Sequence, residues 1–172
     1  MNYENLHTSA LEKLFGTIKM RIVKQNHDIR IIELNDDQNI SRTLGIVKFF
    51  NIKGESLIKA HNQILEGQVL GKTLYNSNID FDKEFLGSVL VNLPNWLKDD
   101  FKSEYDQGIG FYSKIKVAED HQIDNKILYS ELIEIIPREL KNAFKDKIIP
   151  LENNEENVIS LLDGANIKVS KP

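Results

Sequence analysis

Cysteine is absent from the 172-residue chain, and that one absence excludes disulfide bridges, thiolate nucleophiles and cysteine-based metal sites. The four histidines, His7, His27, His61 and His121, are widely separated. No two of them stand at the i, i+4 spacing of a helical zinc site, so no metal is expected. Long apolar runs are missing as well: nothing approaches the roughly 18 residues of a membrane span, and no membrane partner is expected. The opening MNYENLHTSALEKLF lacks the basic and then apolar pattern of a signal peptide, which sets the expected location as cytoplasmic. Basic surface is scarce. A net charge of −4 and a pI near 5.6 weigh against nucleic acid as a partner. No serine sits in a glycine-flanked elbow, and GQVLGKTL carries Gly-Lys-Thr without the first-glycine spacing of a phosphate loop.

What is present reads as one globular domain with a substantial core. Residues 7–26 place Leu11, Leu14, Phe15, Ile18 and Ile22 at spacings of three and four, an amphipathic helical pattern that Gly16 can divide into two short helices. DIRIIELND and SRTLGIVKFFN read as strands, and Lys53-Gly54-Glu55-Ser56 as the turn of a hairpin whose return strand is ESLIKAHNQIL. EGQVLGKTLYNSNIDFD reads as a loop with a short apolar turn, and KEFLGSVLV as a short helix burying Phe85, Leu86, Val89 and Leu90. A helical turn through Trp96 and Phe101 follows, then the strands IGFYSKIKVAE and KILYSELIEII around the turn DHQIDN, the last ended by Pro137. Beyond it stand a predicted helix, PRELKNAFKDKII, the acidic ENNEENV and a polar end. This order predicts an α+β fold on an antiparallel sheet.

Two places break the apolar pattern. Alternation along 127–136 puts Ile127, Tyr129, Glu131, Ile133 and Ile135 on one face, and Leu128, Ser130, Leu132, Glu134 and Ile136 on the other. A carboxylate on an apolar face has its charged form disfavoured, which suits a general acid or a ligand anchor, unless the position is an edge where the side chain reaches water. A shift of one residue in register exchanges Glu131 and Glu134. His61 shares its expected strand face with Leu57, Lys59 and Gln63, which is either a solvated face or one wall of a cavity. On the preceding strand Arg42 and Lys48 share a face with Leu44, Ile46 and Phe50.

SRTLGIVKFFNIKGESLIKAHNQI, FLGSVLV, GIGFYSKIKV and KILYSELIEIIP, in that order and spacing, resemble the central hairpin, Leu-Gly segment and last two strands of the chorismate pyruvate-lyase family. The resemblance spans about residues 8–137. It implies a single α+β domain over 1–137, with about six antiparallel strands and helices covering a buried ligand pocket, and an extension over 138–172. It also implies elimination of pyruvate from chorismate to leave 4-hydroxybenzoate, without metal or organic cofactor. On the matching positions Glu131 becomes the catalytic glutamate, and Leu86 and Gly87 supply backbone beside the ligand. The family's substrate-binding arginine falls on Ile46, so Lys48, Arg42 or His61 must answer the substrate carboxylate. Two functions stay open: a lyase, or a non-catalytic small-molecule binder on the same fold.

Overall fold

The computed structural model describes residues 6–119 and 122–170. Seven strands form one antiparallel sheet: β1 (Lys19–Gln25), β2 (Ile29–Asn35), β3 (Ser41–Phe49), β4 (Phe81–Asn92), β5 (Gln107–Glu119), β6 (Gln122–Pro137) and β7 (Lys168–Val169). Their order across the sheet is β1-β2-β3-β6-β5-β4-β7. The helices are α1 (His7–Phe15), α2 (Glu55–Leu65), α3 (Leu70–Asn76), α4 (Asn95–Phe101) and α5 (Glu155–Asp163), with a 3₁₀ segment, Arg138–Lys147, kinked at Phe144. The expected α+β architecture on an antiparallel sheet holds, with one strand more than expected. Of the expected turn at 120–125, Asp120 and His121 lie outside the described residues.

Both faces of the sheet are apolar because both are covered. Leu44, Ile46, Tyr112, Ile133 and Ile135 pack against Leu97 and Phe101 of α4 and Val158, Leu161 and Leu162 of α5. On the other face Val47, Phe49, Ile115 and Leu132 meet Leu57, Ala60 and Ile64 of α2 and Leu74 of α3. Farther along it, Leu34, Ile109, Phe111 and Ile136 meet Leu11 of α1 and Phe144. Full burial of each such side chain contributes about 1.5–3 kcal/mol.

Several local readings are corrected. ESLIKAHNQIL is a helix, not a return strand: Leu57, Ala60, His61 and Ile64 are buried at the 3.6-residue period, while Lys59, Asn62 and Gln63 form its wet face. The polar run is therefore the outer side of α2. The second half of 7–26 is β1 rather than helix; Gly16, at φ +78, ends α1, since that backbone conformation costs glycine little. LGKTLYN is α3, not loop. KEFLGSVLV lies within β4: a bulge at Leu86, where Phe85 pairs with Ser113 and Gly87 with Tyr112, reverses the alternation so that the spacing imitates a helix. The extension is built into the same structure, since α5 enters the core and β7 pairs with Val91 and Asn92 of β4.

A second bulge corrects the faces of β6. Lys116 pairs with Leu128 and Ile115 with Ser130, leaving Tyr129 as the extra residue. Ile127 and Tyr129 consequently join Leu132 on the α2 face, and only below the bulge do Glu131, Ile133 and Ile135 share the α5 face.

Candidate functional site

Glu131 occupies the middle of a cross-strand row: its register partners are Lys48 on β3 and Lys114 on β5. Its side chain is 8% exposed, its Oε1 accepts a hydrogen bond from Asn157 Nδ2 at 2.9 Å, and Lys114 Nζ lies 3.6 Å from the same oxygen. Glu131 and Lys48 are thus brought together, on the α5 face. The other residues singled out from the sequence are elsewhere. Arg42 sits at the opposite end of β3, where Nε and Nη2 donate to Asp36 Oδ2 at 2.8 and 2.5 Å and the guanidinium covers the Phe15 ring. His61 is buried under α2, its Nδ1 2.8 Å from the Tyr129 hydroxyl and its ring edge-on to Phe49; burial lowers its pKa. Ile46, at the position of the family arginine, is fully buried opposite Ile133. At Gly87, φ is +140 and a Cβ would stand 2.6 Å from Leu151 Cα, so the space beside this backbone is filled by the extension.

A largely enclosed space lies on the other face. A chamber of about 60 Å³ is roofed by Leu6, His7 and Thr8 at the start of α1 and by Val69, Leu70 and Gly71 at the start of α3. Ile32, Val47, Ile115 and Leu132 make its floor apolar, and Gly45 removes a side chain from the middle of it. Into this setting the strands project Arg30 from β2, Thr43 from β3, Lys83 from β4 and Glu134 from β6. Glu134, rather than Glu131, is the carboxylate of the chamber.

Lys83 Nζ donates to Glu134 Oε2 at 2.7 Å. His7 Nδ1 lies 3.7 Å from that oxygen, beyond hydrogen-bond range, and is buried without a partner; Nε2 is 2.8 Å from Thr43 Oγ1, and the ring stacks on Phe144. Burial lowers the His7 pKa to about 4 against the opposing charge of Glu134, so the imidazole is neutral at pH 7. Burial acts to raise the Glu134 carboxyl, but the charges of His7, Lys83 and Lys147 outweigh it and its pKa falls to about 2. With His7 neutral at pH 7, the two lysines carry that stabilisation there.

Arg30 is the most exacting group. It is 2% exposed, Nη1 donates to the Gln68 carbonyl at 2.9 Å, Nη2 lies 3.2 Å from Met20 Sδ, and Nε is buried with no partner. Among the described residues it forms no ion pair with a carboxylate. Burial lowers its pKa to about 10, which leaves it cationic at neutral pH. A buried charge normally has a counter-charge, because desolvation costs several kcal/mol per ion.

Sequence reasoning passed over Arg30, His7, Thr43 and Lys83. Arg30 carried the signal that singled out Glu131, a charge at an inward position of an alternating strand, alongside Ile32 and Leu34. Lys83 was hidden by reading its segment as a helix. Compared with known proteins, the chain matches no family model, and no curated protein is significantly similar to it.

Proposed function

We propose that this protein binds a small carboxylic acid with an apolar body in the chamber beneath α1 and α3. The observation that supports this reading is Arg30: a guanidinium buried at an apolar cavity, with Nε unsatisfied and no carboxylate among the described residues to neutralise it. A ligand carboxylate supplies the missing charge and accepts the unpaired N–H, and the apolar floor takes the ligand body. As closed, the chamber is smaller than the ~150 Å³ of a cavity that takes benzene. A ring-sized acid therefore enters by displacing the first turns of α1 and α3, whereas a short aliphatic acid fits with little movement. On this reading the protein stands with the non-catalytic small-ligand relatives of the chorismate pyruvate-lyases.

Turnover of chorismate is the second reading, favoured by a second cation, Lys83, lining the same cavity. Elimination transfers the ring C4 proton to a base as the C3–O bond breaks and enolpyruvate leaves. Glu134 is ionised, as a base must be, yet a carboxylate held near pKa 2 is a weak one, and binding without turnover is the better match. Titration calorimetry with butyrate, 4-hydroxybenzoate and chorismate tests both. Saturable binding by the parent protein that falls more than about tenfold in Arg30→Met, with no pyruvate released from chorismate, fits the first reading. Pyruvate release selects the second, and no heat with any of the three acids removes both.

A further inference from the structure

We propose that the open cleft between β3, β6 and α5 is a second binding site, taking a free α-amino acid with an apolar side chain as its zwitterion. The cleft holds about 290 Å³ and lies on the face of the sheet opposite the chamber, so this site stands or falls independently of the one above. Phe50 and Leu128 form an apolar wall. Facing them, α5 presents Glu156, Asn157 and Ser160; Ser160 follows the other two by four and three residues and so neighbours each of them on the helix surface. Between the walls stand Lys48 and Glu131, directly opposite each other on neighbouring strands and hence with backbones only ~5 Å apart.

The charges there are unevenly satisfied. Both contacts of the buried Glu131 fall on Oε1, where Asn157 donates and Lys114 lies near; Oε2 takes neither. Beside this carboxylate stands the fully buried Tyr112, whose hydroxyl pKa is raised by burial first and by the Glu131 charge second. Lys48 forms no ion pair among the described residues; its ammonium rests 5.4 Å from the centre of the Phe50 ring. A cation lacking a carboxylate and a carboxylate whose Oε2 takes neither the Asn157 nor the Lys114 contact therefore stand side by side in a cleft with one apolar wall. A molecule carrying both charges on one carbon answers the two at once. Its carboxylate goes to Lys48, and its ammonium to Glu131 Oε2 and Glu156. The side chain lies on Phe50 and Leu128, and Ser160 and Asn157 at the rim offer further hydrogen bonds to the carboxylate. Glu156 repels the ligand carboxylate and so fixes the orientation. Ligands with one charge leave one of the two protein groups unanswered, which excludes simple acids and simple amines.

An NMR titration of the intact protein with L-leucine, L-leucinamide and N-acetyl-L-leucine tests the assignment. The expected result is saturable shifts for L-leucine at residues 48–50, 128–131 and 156–160, with each blocked derivative at least about tenfold weaker. Lys48→Met should weaken L-leucine by a similar factor while leaving calorimetric binding of 4-hydroxybenzoate at its parent value. Lys48 is half-buried at the cleft, and replacing it with methionine keeps its stem, so the variant folds. Absence of saturable shifts, equal binding of all three compounds, or shifts confined to the chamber residues would overturn the proposal.

Discussion

Glu131 and Glu134 lie three residues apart on one strand and turn to opposite faces of the sheet. On the α1 to α3 side, Glu134 is enclosed: Lys83 donates to it, His7 sits behind it, and Arg30 faces the same small cavity. Across the sheet, Glu131 belongs to a Lys48–Glu131–Lys114 row that runs out to an open cleft. The residue types are nearly the same. Exposure does not separate them, since Glu131 is 8% and Glu134 13% exposed; the surrounding charge does, because Lys83 and Lys147 both act on Glu134, whereas Glu131 has an amide donor and one lysine at 3.6 Å. On the chamber face the lysine is committed to its carboxylate, and on the cleft face Lys48 is in no ion pair among the described residues.

Four experiments bear on this difference. The largest effect is expected from removing residues 138–172. The α5 face then loses Val158, Leu161, Leu162 and Ile167, each worth about 1.5–3 kcal/mol, out of a total stability that is typically 5–15 kcal/mol. The shortened chain should fail to give a cooperative melt by circular dichroism; a sharp transition near that of the full chain would show that the extension is dispensable. Next, Lys83→Met leaves Glu134 buried without its donor and should cost about 3–5 kcal/mol in urea unfolding. A loss under about 1 kcal/mol would mean that water already reaches that carboxylate.

The third effect depends on pH. The His7 pKa falls from 6.5 to about 4 on folding, so between those values the unfolded chain binds the extra proton. Stability from this group is thus complete above pH 6.5 and is lost as pH falls to about 4, by roughly 3 kcal/mol. Glu134, lowered on folding to about 2, adds a further loss below its ordinary value of 4.5. The urea midpoint should decline through the upper window in the parent protein and remain flatter there in His7→Gln; parallel curves would place the proton elsewhere. The smallest effect is expected on the open face. Lys114→Met leaves Glu131 its bond from Asn157, so urea unfolding should show a loss of about 1 kcal/mol. A loss matching that of Lys83→Met would erase the distinction between the two faces.

The fold class and most strands could be read from the sequence because DIRIIELN, SRTLGIVKF and KILYSELIEII alternate over several residues, and α4 because a Pro-Asn turn precedes Trp96 and Phe101, although it is Leu97, not Trp96, that joins Phe101 in the core. What could not be read has a common physical cause. Period-2 and period-3.6 patterns are distinguishable only while the backbone stays regular, and bulges at Leu86 and Tyr129 make strands imitate helices and change faces. In α2 the confusion ran the other way: Gly54 before Glu55 resembled a tight turn, and the deciding quartet Leu57, Ala60, His61 and Ile64 contains two residues of little apolar weight. For the site, a charge among apolar residues was an informative signal. It put Glu131 ahead of Glu134, whereas Glu134 is the one that lines the chamber, and its twin at Arg30 went unused. What surrounds each charge decides between such residues, and that is a property of what covers the sheet.

The bulge at Tyr129 also governs how the gene can change length. A strand built on strict alternation rejects any single-residue insertion or deletion, because half of its side chains then swap core for solvent. In β6 the swap has already been made: the half before Tyr129 and the half after it keep separate phases, one matched to α2 and the other to α5. Loss of the Tyr129 codon itself would restore regular alternation with both halves on their present faces, because Leu128 and Ser130 already oppose the successive residues Lys116 and Ile115, whereas loss of any other codon turns the residues between it and the bulge inside out. Length changes in the connections between elements carry no such penalty, so drift in chain length is steered away from this strand and into the turns.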